Sequence, residues 1–495
     1  MINIKQHSGP PCGRMHRRTF LADVGFGFTG LALGSMLQQD GIARANPLAL
    51  PDGQPHFAPK AKSVIWIFLS GGYSQVETFD PKPALNKYAY KTFDDTPFAN
   101  PLKSPLHDKR SRSVVTMKRD AFPAILPLQV GYKKHGQSGI EVSDWWPHLA
   151  TCVDDISFVR SMYTTDNDDA AEAQIHTGRR RLDDTQPSLG AWVHYGLGSL
   201  NENLPTFLFL GEFTNSIVTT NYQADYLGPK HAGIKLSLDP KRPLPFGTRG
   251  EDVLATEQAN EYEFINELNG LSAVEYPRDE QLRARIRSYE LAYRMQMAVP
   301  EALNLGSETE ETRRLYGLDN ENTRAAGERL LAARRLAERG VRFNMAYISG
   351  LGEWDSHQHL KDAHARCSSK VDKPVAGLLK DLKRRGLWND VLVVFCTEFG
   401  RTPGYQTTFS DGQKDGRDHH PHGFTIWFAG AGIKRGHVHG ATDELGFHAV
   451  ENEHYVTDIH ATVLHLMGLD SRRLDIPGRK RLEVDYGNPI TDIMV

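Results

Sequence analysis

The run Val391-Leu392-Val393-Val394-Phe395-Cys396-Thr397 constrains the fold more than any other stretch. Its residues are apolar or β-branched with no polar alternation. It therefore reads as a strand buried on both faces, as in parallel sheets covered by helices on either side. Glu398 follows directly, and Gly400 and Pro403 then break the chain. In open α/β sheets, ligands gather at the carboxyl ends of strands. One loop later come Asp418-His419-His420-Pro421-His422-Gly423. A carboxylate with three imidazoles has the ligand chemistry of a divalent metal site. The same residues also suit a Glu398–Arg401 ion pair beside a histidine-rich surface loop.

Two more runs repeat the pattern. Residues 63–69 end in Ser70-Gly71-Gly72, with Ser74, Glu77 and Asp80 close behind. The paired glycines suggest that the backbone approaches something closely, such as a ligand. The alternative is a tight turn with a helix N-cap at Ser74. Residues 341–348 form a third strand, ending in Gly350, Gly352, Asp355, His357 and His359. A helix from there to about residue 385 leads into the 391–397 strand, giving a βαβ unit with parallel strands. Asp355 and His359 are four apart, so on a helix start they would share a face and His357 would point elsewhere. Three strand ends thus offer one polar cleft, which strengthens the metal reading.

The chain has 495 residues, enough for a large core, and an α/β fold of this size can form one unit. Residues 46–495 read as a single domain with surface insertions at about 84–140 and 212–340. Strong helical patterns occupy 278–300 and 309–340. Asp166, Asp168 and Asp169 precede another helical pattern, as caps or as metal ligands. The net charge of -3 gives no electrostatic case for nucleic acid. Beyond the leader, no apolar run is long enough to span a bilayer, so an integral membrane protein is not expected. The four cysteines lack C-x-x-C spacing and form no disulfide framework. Residues 1–45 read as an export leader. His16-Arg17-Arg18-Thr19-Phe20-Leu21 is a twin-arginine pattern, 24–37 is a Gly/Ala-rich apolar stretch, and Ala43-Arg44-Ala45 is a cleavage site. The expected location is the periplasm or another extracytoplasmic space; the alternative is an amphipathic first helix.

Several of these pieces recur together. They are the leader, Gly71-Gly72-x-Ser74-x-x-x-Thr78-Phe79-Asp80-Pro81-Lys82-Pro83, His176-Thr177-Gly178, Pro187-Ser188-Leu189-Gly190, Thr397-Glu398-Phe399-Gly400-Arg401-Thr402-Pro403 and the 418–423 loop. With them the chain resembles the bacterial family of domain of unknown function 1501 over almost all of residues 63–470. That family resembles a divergent branch of the alkaline phosphatase and sulfatase superfamily. The resemblance implies a three-layer α/β/α sandwich with a mostly parallel central sheet. It also implies one or two divalent ions (zinc, manganese or similar) at strand ends, and hydrolysis of sulfate or phosphate esters.

Carried over by position, Asp355 and His359 match a metal-binding pair. One of His419, His420 and His422 matches a late histidine ligand. Glu398 keeps the acid of a strand-end motif, but Phe399 stands where a second ligand is expected. Glu77 or Asp80 would have to replace a missing first-strand ligand. Thr177-Gly178-Arg179 closes the nucleophile helix and puts Asp168 where the superfamily has Ser, Thr or Cys. Arg179 or Arg401 would clamp the anionic group, or each pairs with a neighbouring acid. The implied protein is an exported metal-dependent hydrolase of a small anionic ester or of a sulfated or phosphorylated glycan. The alternatives are a non-catalytic binding or assembly protein on the same fold, and a phosphomutase-like transferase.

Overall fold

The computed structural model describes residues 51–495 except 112–123, 169–170, 181–182, 184–185, 213–218, 240–254, 276–279, 407–413 and 480. The expected leader lies outside the described residues. Pro51–Leu474 and Arg481–Val495 form one compact unit. Asp475–Lys480 fall in a second, where Ile476 and Arg479 bridge.

The central sheet has nine strands: β1 (Ser63–Phe68), β2 (Ile156–Tyr163), β3 (Phe207–Leu210), β4 (Ile234–Leu236), β5 (Phe343–Tyr347), β6 (Val391–Cys396), β7 (Phe424–Gly430), β8 (His437–His439) and β9 (His454–Tyr455). Their order is β8-β2-β7-β6-β1-β5-β3-β4, and β9 also pairs with β2. Every pairing is parallel except the two made by β7. The three apolar runs are thus adjacent strands, β6-β1-β5, and the expected βαβ unit crosses over β1. The main helices are α1 (Ala171–Thr177), α2 (Leu189–Leu197), α3 (Ala255–Glu275), α4 (Glu280–Ala302), α5 (Glu321–Glu338), α6 (Leu360–Arg384) and α7 (Val456–Leu466).

Helices cover both faces, which is why β1 is buried at every position. Ile65 and Ile67 join the core under α5 and α6, with Leu330, Leu331, Leu378 and Leu379. Trp66 and Phe68 face the other way, against His176 of α1. Trp66 also meets His460 of α7. Each fully buried aliphatic or aromatic side chain contributes roughly 1.5–3 kcal/mol.

The helical pattern over 309–340 is realised as two helices: Glu310–Leu315 ends, and α5 restarts where the Asn320 side chain accepts the Asn322 N–H. The 84–140 insertion carries a helix at Pro105–Ser111 and a hairpin of Tyr132–His135 with Ile140–Ser143. Cys152, Cys367 and Cys396 are buried free thiols. Among the described residues, no helix is long and apolar enough to cross a membrane.

Candidate metal centre

The parallel strands β1, β5 and β6 bring their carboxyl ends to one edge of the sheet. Because β7 runs antiparallel, its amino end reaches that edge, and residues 418–423 arrive there with it. The chain leaves β1 through Gly71 and Gly72, at φ +112° and +71°. A Cβ on Gly71 would lie 2.5 Å from the Asp355 nitrogen, and one on Gly72 would lie 2.3 Å from the Phe399 ring. The paired glycines therefore admit neighbouring protein, the Asp355 backbone and the Phe399 ring, where the sequence suggested a ligand.

Arg401 ties these loops together. Its Nε donates to the Gly72 carbonyl, Nη1 to the Arg417 carbonyl and Nη2 to the Gly71 carbonyl. Nη2 also donates to Asp355 Oδ1 at 2.6 Å. Arg401 is wholly buried. It is a scaffold, and its guanidinium is not presented to an anion.

Two imidazoles converge on the same carboxylate oxygen. His357 Nε2 lies 3.0 Å from Asp355 Oδ1 and His419 Nε2 lies 2.8 Å from it. Each far ring nitrogen faces an acceptor. His419 Nδ1 is 2.8 Å from the Asn167 carbonyl oxygen, and His357 Nδ1 is 2.5 Å from Gln406 Oε1. A carbonyl or amide oxygen only accepts, so both Nδ1 atoms carry protons. Each Nε2 is then the atom a metal would take, in place of the hydrogen bond it makes to Asp355 Oδ1 here, with its orientation fixed from behind. The Phe399 ring stacks on His419 at 4.3 Å. Burial pushes the Asp355 carboxyl up, but the charge of Arg401 and the hydrogen bonds of His357 and His419 outweigh this and hold it well below the usual carboxylate range. Asp355 is thus ionised at neutral pH. The three donor atoms lie within 4.8 Å of one another, the one such group among the described residues. Asp355 and His357 are partly exposed, so the centre opens to solvent. Two imidazoles and one carboxylate fit a divalent transition metal with coordination positions left over.

The structure separates the other expected site residues. His359 does not share a helical face with Asp355, because α6 begins only at Leu360 and His359 is its cap, at φ +54°. Its Nδ1 goes to Asp415 at 2.8 Å, and His357 takes the place expected of it. His420 and His422 turn away from His419 and pack with Phe447. His422 also packs against His107 and His448. Burial and the neighbouring histidines hold the His422 pKa well below its ordinary value. Glu398 accepts from the Gly71 N–H at 2.6 Å and from Thr397 at 2.8 Å, and burial pushes its pKa up to about 7. Glu77 is locked to Arg417, both wholly buried. Asp80 pairs with Lys82 at 3.2 Å and Arg160 at 3.7 Å. Neither acid belongs to the metal-competent group. Arg179 is held by both oxygens of Asp485, so it too is paired. Asp168 comes directly after Asn167, whose carbonyl holds His419. The residue missed was His357. Its signal was the Asp-x-His spacing in a glycine-rich turn, where alternation rather than helical periodicity decides which side chains meet.

A mostly parallel α/β sheet, covered by helices on both faces, with a histidine–carboxylate centre at its strand ends defines the class of protein. Within that class, the chain belongs to the family described as Protein of unknown function (DUF1501), whose model matches residues 61–494. No curated protein matches it. Among solved structures, it is similar to phosphonate monoester hydrolase SpPMH from Silicibacter pomeroyi, at 12% identity over 86% of this chain and 75% of that one, TM-score 0.37. The lipoteichoic acid synthase LtaP from Listeria monocytogenes is 10% identical over 89% and 80%, TM-score 0.35. The PsFucS1 sulfatase from Pseudoalteromonas sp. is 12% identical over 88% and 71%, TM-score 0.32.

Proposed function

We propose that this protein is an exported, metal-dependent hydrolase of sulfate or phosphate esters. Its divalent ion, zinc, manganese or similar, would be held by Asp355, His357 and His419. The observation that carries this reading is the meeting of two Nε2 atoms on one Asp355 oxygen, with both Nδ1 atoms committed elsewhere. A bound divalent ion supplies a Lewis acid for the ester oxygens and lowers the pKa of water to roughly 7. The chain's own groups orient that chemistry: Arg401 keeps Asp355 in place, Asn167 and Gln406 set the ring tautomers, and Phe399 holds the His419 plane. Asp168 is the acid this reading places beside the reacting ester. Arg179 and Arg401 are already paired, so recognition of the anion falls to the centre itself. The twin-arginine pattern supports export to the periplasm, where a small anionic ester or a sulfated or phosphorylated glycan is the substrate class.

A second reading, a binding or assembly protein without turnover, is favoured by one observation. Glu77 and Asp80, the acids expected to rebuild a second metal site, are consumed in buried ion pairs.

Elemental analysis and turnover of aryl sulfate and aryl phosphate test both. One equivalent of a transition metal, lost in Asp355→Ala, His357→Ala and His419→Ala but kept in His359→Ala, is the expected result. Turnover lost in the same variants supports the hydrolase, and metal without turnover supports the binding protein. No metal in folded wild type overturns the centre.

A further inference from the structure

Asp355 and His357 flank Ser356, and Ser356 turns into the protein. It is buried, and its Oγ lies 3.2 Å from His364 Nδ1, on the first turn of α6. Its carbonyl accepts the Arg417 N–H at 3.2 Å, two residues before His419. Ser356 is therefore a junction between the two segments that carry all three donor atoms of the centre.

His364 is wholly buried against two indoles: Trp354 meets it edge-on at 5.1 Å, and Trp145 lies at 6.2 Å. Its Nε2 accepts the Ser74 backbone N–H at 3.0 Å. A backbone N–H only donates, so Nε2 carries the lone pair and Nδ1 carries the proton. The ring therefore donates to Ser356 Oγ, in one tautomer. An apolar side chain could fill this space without the desolvation that an imidazole costs. Instead both ring nitrogens are committed, one to each turn that frames the centre. Ser74 stands two residues after Gly72, in the turn whose Gly71 packs on the Asp355 backbone nitrogen.

We propose that His364 is a positioning residue of the metal centre. Its Nδ1–H holds Ser356, and through Ser356 the spacing of Asp355 and His357. Its Nε2 ties the same segment to the turn after β1. The inference rests on the reading of Asp355, His357 and His419 as the metal ligands.

Two amide variants divide the work of the ring. A Gln carboxamide reaches the Nε2 position, so His364→Gln can still accept from Ser74 but leaves Ser356 without its donor. An Asn carboxamide reaches the Nδ1 position, so His364→Asn keeps that donor and leaves the Ser74 N–H unpaired. Zinc is titrated calorimetrically into the metal-stripped full chain, with urea unfolding measured alongside. His364→Gln and Ser356→Ala should each weaken zinc binding about tenfold or more. The double variant should bind no more weakly than either single one, because both remove the same hydrogen bond. His364→Asn should lose stability and keep its zinc affinity. Should His364→Gln fail to fold, Ser356→Ala decides alone. Wild-type affinity in Ser356→Ala, or losses that add in the double variant, overturns the proposal and leaves the centre in place. His364→Asn losing zinc as His364→Gln does also overturns it, because the ring would then be merely structural. Folded wild type that takes up no zinc overturns the centre, and this inference with it.

Discussion

His419 Nε2 stands 2.8 Å from Asp355 Oδ1, and neither atom is free to move away. The ring is pinned at Nδ1 by the Asn167 carbonyl and on its face by Phe399. The carboxylate is pinned by Arg401. His357 is the softer partner: Gln406 holds its Nδ1 at 2.5 Å, and the Asp418 carboxylate lies farther off at 3.6 Å. Gln406→Leu removes that acceptor and leaves all three ligands. Metal affinity should fall about 10- to 100-fold, as for other residues that orient a ligand from behind. Calorimetric titration of the metal-stripped protein measures this. Unchanged affinity would mean that His357 is not a ligand.

The Glu77–Arg417 pair separates structural acids from metal-binding ones. Arg417 donates to Glu77 and to the Thr402, Pro403 and Leu126 carbonyls, with no exposure to water. Glu77→Gln leaves a buried guanidinium short of its counter-charge. Breaking one side of such a pair typically costs about 3–5 kcal/mol. Urea unfolding should show a loss of that order, while metal content per folded molecule stays at the wild-type value. A loss of metal with little loss of stability would return Glu77 to the ligand set.

Gly71→Ala should damage the centre from outside it. The added Cβ would sit 2.5 Å from the Asp355 nitrogen and 2.8 Å from the Trp354 nitrogen, both backbone atoms, so Asp355 must shift. Backbone strain at φ +112° adds about 1–3 kcal/mol. Gly139→Ala is the control: it has a positive φ of +67° but open space around the position. Both variants should lose stability, and only Gly71→Ala should lose metal. Metal retained by Gly71→Ala would detach the centre from the β1 turn.

Much of this arrangement was readable in the sequence, and the unread part has a physical pattern. The β1, β5 and β6 runs were legible because burial on both faces removes polar alternation. Asp355 and His419 were legible because they follow or precede such strands. His357 was not, because its role depends on where α6 begins: the sequence placed Asp355 and His359 on a helix start, but the helix begins only at Leu360, after a left-handed cap at His359. The roles of Arg401 and Arg417 were also hidden. A buried guanidinium holding loop carbonyls leaves no periodic trace, and in sequence it looks the same as one poised for an anion. Helix α3 was missed for the opposite reason. Its outward apolar side chains interleave with glutamates, so the stripe that usually reports a helix is blurred.

Stability should fall on the acid side through histidines remote from the centre. Burial holds His194 and His448 down to about 4, and His231, packed against His194, down to about 3. Their ordinary value is 6.5. Above that pH they are neutral whether the chain is folded or not, so they add no pH dependence. Below it the unfolded chain takes up protons that the folded chain refuses, so the unfolded state binds more protons and stability declines as pH drops. Each such histidine contributes a slope of up to about 1.4 kcal/mol per pH unit. The loss runs from about pH 6.5 to about pH 4, where the folded protein begins to take up protons too. Asp355, held below its ordinary 3.8, adds a loss in the same direction only in a lower window. Urea unfolding of metal-stripped protein at pH 7.5, 5.5 and 4.5 should show this decline, and His194→Gln should shallow it by the share of one titrating group. Stability that stays flat between pH 7.5 and 5.5 would mean these rings take up protons in the folded protein as easily as in water, and that the His194–His231 contact is open to solvent.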